Sequence, residues 1–333
     1  MTVDAADLKA PGALMRAEAA EAAAVFRAGV VQPVPPLPLP RPRAIYTIAR
    51  GSSDAAACIL AYEFMATLGV PATSLPPSTF SLGAGVEMAG SLALIVSQSG
   101  GSDDLVRAAQ GARDRGAHVV ALTNTAGSPV EAAAHHTVLI GAGPERAIPA
   151  TKSVIGAIAA GLALLTALHP PHAKSCARAA DAFADPPPLG TAKAVSSALL
   201  RAQHVYVIGR GAGFGAAQEV ALKLKETCAL HAEAYSASEV LHGPLQLTER
   251  PLSVLMLDTG VAATQPSLDQ AERRFRDAGS PVLRLRPHAP GIAPAAAAAL
   301  LLNALYPVML ETALALGYDP DSPDRLAKVT RTL

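Results

Sequence analysis

A short β-rich run, a turn of small residues and a helical stretch occur twice in this chain at a fixed spacing. Ala44–Ile48 (AIYTI) runs into Arg50-Gly51-Ser52-Ser53 and an alanine-rich helical stretch to Leu68. His204–Ile208 (HVYVI) runs into Arg210-Gly211-Ala212-Gly213 and a helix to about Leu230. The offset, 204 − 44 = 160, returns one strand later, where Leu94–Gly100 (LIVSQSG) aligns with Val254–Gly260 (VLMLDTG). A third pair, Ala117–Leu122 and Pro281–Leu285, follows at 281 − 117 = 164. Short apolar runs alternating with helices are how strands buried on both faces of a parallel sheet read. The chain is therefore expected to hold two α/β domains of one fold in tandem. The expected division is 1–40 as an N-terminal helix and proline-rich linker, 41–185 and 190–320 as the two domains, and 321–333 as a C-terminal tail. In open parallel sheets, ligands sit at the carboxyl ends of the strands, where turns feed helix N-termini. That confines the search for chemistry to a few loops.

Composition narrows the partners. Half of the 333 residues are hydrophobic and 16% are charged, which suits two well-buried cores. Lys+Arg and Asp+Glu balance at 27 each and Trp is absent, so neither nucleic acid nor an anionic membrane is an expected partner. Cys58, Cys176 and Cys228 are too few and too widely spaced for a disulfide framework or a zinc pattern. They read as small buried apolar residues, and no metal site is expected. Val154–Leu168 is too short to span a bilayer, and the longer run 293–317 is interrupted by Asn303, Pro307 and Glu311. Both read as buried core helices. Residues 5–29 form an amphipathic, partly acidic helical pattern without an uninterrupted apolar signal core, and a cytoplasmic protein is expected.

Several residues are equipped for chemistry. Ser97-Gln98-Ser99-Gly100-Gly101-Ser102 follows a strand and opens a helix at Asp103. Ser97, Ser99 and Ser102 offer hydroxyl donors, Gln98 offers an amide, and the glycines allow backbone amides to approach an oxyanion. A plain serine N-cap is the alternative, but three hydroxyls and a glutamine exceed what a cap needs. The matching loop of the second half, Leu257–Gly260, lacks glutamine and carries Asp258, so the duplication is asymmetric. No G-x-G-x-x-G or Walker pattern is present, though Ser52 and Ser53 could donate to ligand hydroxyls. Thr151 either caps the apolar helix it opens or touches the same anion.

Glu219, Lys223 and Glu226 stand at i, i+4 and i+7 and share one helix face, with Lys225 off that face and toward solvent. They read either as a surface ion-pair ladder or as proton-transfer groups. His242 precedes Gly243-Pro244, where a loop histidine can transfer protons or simply be structural. Lys328 lies in a tail expected to be mobile.

Together, SQSG after the second strand, ALKLKE followed by HAEAY, HGP, and a C-terminal LAK resemble the sugar isomerase (SIS) family. The likeness runs from near Arg41 to the C-terminus and is greatest to the isomerase half of glucosamine-6-phosphate synthase and its stand-alone relatives. The resemblance implies two tandem flavodoxin-like SIS domains, the first binding phosphate and the second supplying a catalytic helix. It implies Ser97, Gln98, Ser99 and Ser102 on a sugar phosphate, with Thr151 and Ser52 close by. Glu226 matches the family's proton shuttle between C1 and C2, and Glu219 and Lys223 its supporting face. His242 matches the histidine that opens the sugar ring across a dimer interface. Lys328 matches the lysine of a tail that closes over the substrate. A homodimer and a hexosamine or hexose 6-phosphate substrate are implied, with no cofactor.

Three departures bear on the reaction. Nothing in residues 1–40 matches the synthase's glutaminase domain, and position 2 is not Cys, so ammonia from glutamine is not expected. Gly101 stands where the synthase usually has an acid, and the tail reads Lys-Val-Thr-Arg-Thr-Leu. These features are similar to SIS-type glucosamine-6-phosphate deaminases, which implies glucosamine 6-phosphate and water giving fructose 6-phosphate and ammonia. The alternatives are a phosphosugar aldose–ketose isomerase, a galactosamine-6-phosphate deaminase, and, in another class, a non-catalytic module that senses a sugar phosphate.

Overall fold

A computed structural model describes residues 10–38, 41–186 and 189–328. In the first half come α1 (Ala13–Val30), β1 (Ile45–Ile48), α2 (Ser52–Leu68), β2 (Ala72–Ser74), α3 (Ser78–Ser81), β3 (Leu92–Ser97), α4 (Asp103–Asp114), β4 (His118–Thr123), α5 (Pro129–Ala133), β5 (His136–Leu139), α6 (Lys152–Leu168) and α7 (Ala173–Ala182). The second half has α8 (Ala192–Leu199), β6 (His204–Gly209), α9 (Ala212–Cys228), β7 (His231–Ser236), β8 (Ser253–Leu257), α10 (Gln265–Asp277), β9 (Val282–Leu285) and α11 (Pro294–Ala315). The strands form two parallel sheets, ordered β2-β1-β3-β4-β5 and β7-β6-β8-β9, flanked by helices. This is the tandem α/β architecture the repeat implied, with the flavodoxin-like sheets the resemblance implied.

The central strands form because their residues can be buried on both faces. All six residues of β3 (LALIVS) are buried. The duplication extends to backbone torsions. The strand-to-helix turns pivot on Gly51 at φ 55°, ψ −130° and Gly211 at φ 59°, ψ −133°. A positive φ of this kind is inexpensive for glycine and strained for other residues.

The two halves meet through their equivalent helices, α2 and α9, which pack on each other. Gly215 permits this, since a Cβ there would lie 2.6 Å from Ile59 Cγ1 and 2.9 Å from the Ala55 carbonyl oxygen. α11 also packs on α9. It is long and apolar enough to cross a bilayer by length and composition, yet 72% of its most apolar window is buried inside the protein.

The structure corrects the sequence reading in three places. Each half was expected to have three strands, and the sheets have five and four. HAEAYS, for which the sequence reading gave no strand, is β7, paired in parallel with β6 from His204 opposite His231 to Gly209 opposite Ser236. It is an edge strand with only Ala232 fully buried, so it carries no apolar run to announce it. The first helix begins at Ala13, after Pro11-Gly12, rather than at residue 5, and residues 5–9 lie outside the described residues. At the tail, the Lys328 ammonium donates to the Ala147 carbonyl in the loop before α6. Residues 39–40 of the linker, 187–188 of the expected domain junction and 329–333 of the tail lie outside the described residues.

Candidate active site

At the carboxyl edge of the first sheet, a cleft of about 440 Å³ gathers residues from five separate parts of the chain. Its walls include Arg50 and Ser53 from the β1–α2 turn, Ser97, Gln98, Ser99 and Ser102 from the β3–α4 loop, Glu226 from α9, and Lys328 from the tail.

The serine loop is shaped by its own hydroxyls. Ser97 Oγ accepts from the Gly100 amide at 3.1 Å, and Ser99 Oγ from the Gly101 amide at 3.3 Å. Gly100 has φ 63°, and a Cβ there would lie 2.2 Å from Ser128 Oγ, so this turn requires glycine. Ser102 holds the N-cap position of α4, yet its side chain makes no capping bond. The plain-cap alternative therefore does not account for it. The acids of the first turn of α4 are matched by cations: Asp104 pairs with Arg50 at 2.8 Å, and Asp103 with Arg107 at 2.9 Å.

The equivalent loop of the second half is already filled. Asp258 Oδ1 accepts from the Gly260 amide at 2.8 Å and from Gln265 at 2.9 Å, and its Oδ2 pairs with Arg284 at 2.9 Å. Burial alone would raise this carboxyl, but Gln265, the Gly260 amide and Arg284 outweigh it and hold it below the usual range. A built-in carboxylate thus occupies the donors that an external anion would need.

The face Glu219, Lys223, Glu226 is not a surface ladder. Glu219 and Lys223 side chains are 0% and 1% exposed, while Glu226, at 24%, reaches the cleft. Lys225 is exposed, as its off-face position implies. The Lys223 ammonium donates to Glu226 and lies 3.8 Å from Glu219. Burial alone would lower the Lys223 pKa, but the flanking carboxylates of Glu219 and Glu226 outweigh it and hold it above the usual lysine value. Glu219 also receives a hydrogen bond from the Tyr306 hydroxyl at 3.2 Å, and Ser52 stands close to it. Burial pushes its carboxyl up to about 7, against the pull of Lys223. A fixed ammonium thus sits behind a partly open carboxylate, an arrangement that can stabilise that carboxylate and orient it for proton transfer.

The raised Glu219 pKa carries a signed prediction. A carboxyl with a raised folded pKa contributes stability that is fully present below its unfolded value near 4.5 and is lost as pH rises through about 7. Glu219→Gln removes that dependence. Between pH 5 and pH 8 the stability of the wild type relative to the variant is expected to fall by on the order of 2 kcal/mol. Urea unfolding of both proteins at the two pH values measures it, and a difference that stays flat would refute it.

Lys328 Nζ donates to the Ala147 carbonyl at 2.6 Å and lies 3.5 Å from Glu145 Oε2. Glu145 was not singled out from the sequence. Its fully buried carboxylate accepts from the Thr151 amide at 3.0 Å, the Ser153 amide at 3.0 Å and Ser153 Oγ at 2.5 Å. A lone acid in the segment GAGPER, just before an apolar helix, was the available signal. Tyr306 was likewise passed over, as one aromatic in an apolar helix.

The expected residues divide into three groups. Ser97, Gln98, Ser99, Ser102, Glu226 and Lys328 share the cleft. Glu219 and Lys223 stand one layer behind it, and Ser52 joins them through Glu219 while its neighbour Ser53 lines the wall. Thr151 and His242 are not on the wall. Thr151 sits at the N-cap of α6, fully buried, with no side-chain capping bond. His242 is exposed at the end of the 3-10 turn Glu239–His242. No group of three or more potential metal ligands occurs among the described residues.

The family model of the SIS domain matches residues 39–167 and 198–283, one stretch over each half. The chain belongs to the SIS family. Among SIS relatives, glutamine–fructose-6-phosphate aminotransferase [isomerizing] of Pyrobaculum aerophilum is 31% identical over 308 residues, covering 86% of this chain and 51% of that protein. The chain spans about half the length of the curated relatives it matches. A Silicibacter pomeroyi structure, provisionally described as a phosphosugar isomerase, superposes with a TM-score of 0.76 at 32% identity, covering 92% of this chain and 94% of that one. Glucosamine-6-phosphate deaminase of Thermotoga maritima shares the SIS fold at a TM-score of 0.75 and 19% identity, covering 96% of this chain and 100% of that one.

Proposed function

We propose that this SIS protein is an amino-sugar phosphate deaminase, converting glucosamine 6-phosphate and water to fructose 6-phosphate and ammonia. The observation that carries the reading is one cleft in which the serine loop, the Glu226 carboxylate and the Lys328 amine face the same space. The serine loop suits the phosphate, and anchoring that remote group fixes the reacting carbons. Glu226 takes the proton from C2 of the open-chain aldose and returns it at C1. The electron pair released at C2 becomes the C1–C2 double bond of an enolamine as the C1 carbonyl pair moves onto O1, which takes a proton from water. On protonation at C1 the nitrogen lone pair forms the C=N bond at C2, and an N–H proton passes to water, leaving an imine. Water adds to that imine, and the C–N bond breaks with ammonia leaving.

Lys223, held between two carboxylates, orients Glu226. Lys328 closes the cleft from the tail side. His242 opens the sugar ring from the other subunit of a homodimer, consistent with its exposed place away from the cleft of its own chain. The second reading is an aldose–ketose isomerase that stops at the ketose, favoured by the likeness to the Silicibacter pomeroyi structure.

Purified protein is expected to release ammonia and form fructose 6-phosphate from glucosamine 6-phosphate. Ammonia from galactosamine 6-phosphate alone would move the assignment to that epimer. Aldose–ketose interconversion of sugar phosphates that carry no amine, without ammonia from the amino sugars, would replace it with the isomerase reading.

A further inference from the structure

The tail that carries Lys328 is held by the opposite end of the described chain. α1 has no cap of its own, because Gly12 stands at its N-cap without a side chain. Its first amides, which no helical carbonyl can satisfy, are taken by the tail. Asp321 accepts from the Leu14 amide at 2.8 Å and the Met15 amide at 2.7 Å, and Asp319 accepts from the Gly12 amide at 3.0 Å. Two carboxylates at a helix N-terminus are also favoured by the helix dipole. From the same segment, the Asp321 carbonyl accepts from the Ile148 amide at 3.2 Å.

One turn further along α1, the buried Glu18 accepts from the Arg146 amide and, at 3.3 Å, from the Ala147 amide. Those bonds fix the backbone leading into Ala147, whose carbonyl accepts from the Lys328 ammonium at 2.6 Å, and the amide of that same carbonyl's peptide, on Ile148, is the one bound by Asp321. Met15, Ala147 and Leu310 seal the junction as a small buried cluster. Gly12 is needed there twice over. Its φ is 73°, and a Cβ would lie 2.6 Å from Leu310 and 3.3 Å from Pro320.

We propose that α1 is a clamp that sets the place of Lys328, with Asp321, Asp319 and Glu18 as positioning residues outside the cleft. The claim about activity rests on the function proposed above, whereas the claim about the tail does not. The clamp works from both sides of Lys328. Asp319 and Asp321 pin the tail that leads to it, and Glu18 pins the backbone just before the carbonyl that receives it.

The test uses the full chain and reads two quantities. Limited trypsin digestion, followed by mass spectrometry, reports opening of the tail through cleavage after the exposed Arg325. Asp321→Ala is expected to raise that cleavage rate about tenfold, the scale of losing a helix cap when cleavage follows the open population. Asp321→Asn, which keeps one acceptor oxygen, should fall between the two. Gly12→Ala acts from the helix side and should move the rate the same way. In turnover, Asp321→Ala should lower kcat while KM for glucosamine 6-phosphate changes little. If Asp321→Ala does not fold, Glu18→Gln and Asp321→Asn carry the same comparison. Unchanged cleavage across the variants would overturn the clamp, and so would equal losses in Asp321→Ala and Asp321→Asn. A wild-type protein without deaminase activity would overturn the proposed function and leave the digestion result to decide the clamp.

Discussion

Glu226→Gln is expected to lower turnover of glucosamine 6-phosphate by about 10²–10⁴-fold, the range supplied by a positioned acid–base group, with little change in KM. The substitution keeps the shape of the side chain and an oxygen that can accept from Lys223. It removes the capacity to carry a proton between C2 and C1. Because Glu226 and the serine loop line different walls of the cleft, the proposed phosphate binding and proton transfer fall to different residues. Solvent exchange at the sugar carbons gives an independent measurement. In D2O the wild type should place deuterium at C1 of the ketose, and the variant should lose this incorporation in step with turnover. A variant that keeps full turnover would remove Glu226 from the chemistry.

Lys223→Met has the largest expected effect on stability. The ammonium is 1% exposed and is shared by Glu219 and Glu226. Removing one partner of a buried ion pair while leaving the other typically costs about 3–5 kcal/mol. Here the loss should be greatest at high pH, where Glu219 must either carry an unmatched charge or hold its proton. Replacing Glu219 as well makes the site internally consistent. The double variant Glu219→Gln, Lys223→Met is therefore expected to recover part of the stability lost in Lys223→Met alone. Denaturant unfolding of the two single variants, the double variant and the wild type closes the cycle. Strict additivity would mean that Glu219 and Lys223 do not act as a pair.

What was legible in the sequence follows from where the physical constraint was local. β3 and β6 read clearly because strands buried on both faces are apolar throughout. β7 did not, since HAEAYS lies at a sheet edge where polar residues are tolerated. The serine loop was visible as a cluster of donors within six residues, and the Glu219–Lys223–Glu226 face as helical spacing. Whether that face was solvent or core was not readable locally. It depends on α11 packing over α9, and on Gly215 letting α9 close against α2. Glu145 and the capping acids Asp319 and Asp321 escaped for a related reason. Their partners are loop amides or lie more than 300 positions away, so neither periodicity nor spacing marks them.

The capping of α1 by Asp321 also sets an order of events during synthesis. Met15 leaves the ribosome 306 positions before the carboxylate that accepts its amide. At ~5–20 residues per second that interval is about 15–60 s, far longer than a helix or a sheet domain needs to form. The first sheet can fold with its serine loop in place while Glu226 has not yet been translated. The cleft therefore matures in stages, and its last wall closes only after elongation has passed the tail. An emerging chain holds an incomplete cleft, and the proton transfer proposed for it waits for both ends of the described chain to meet.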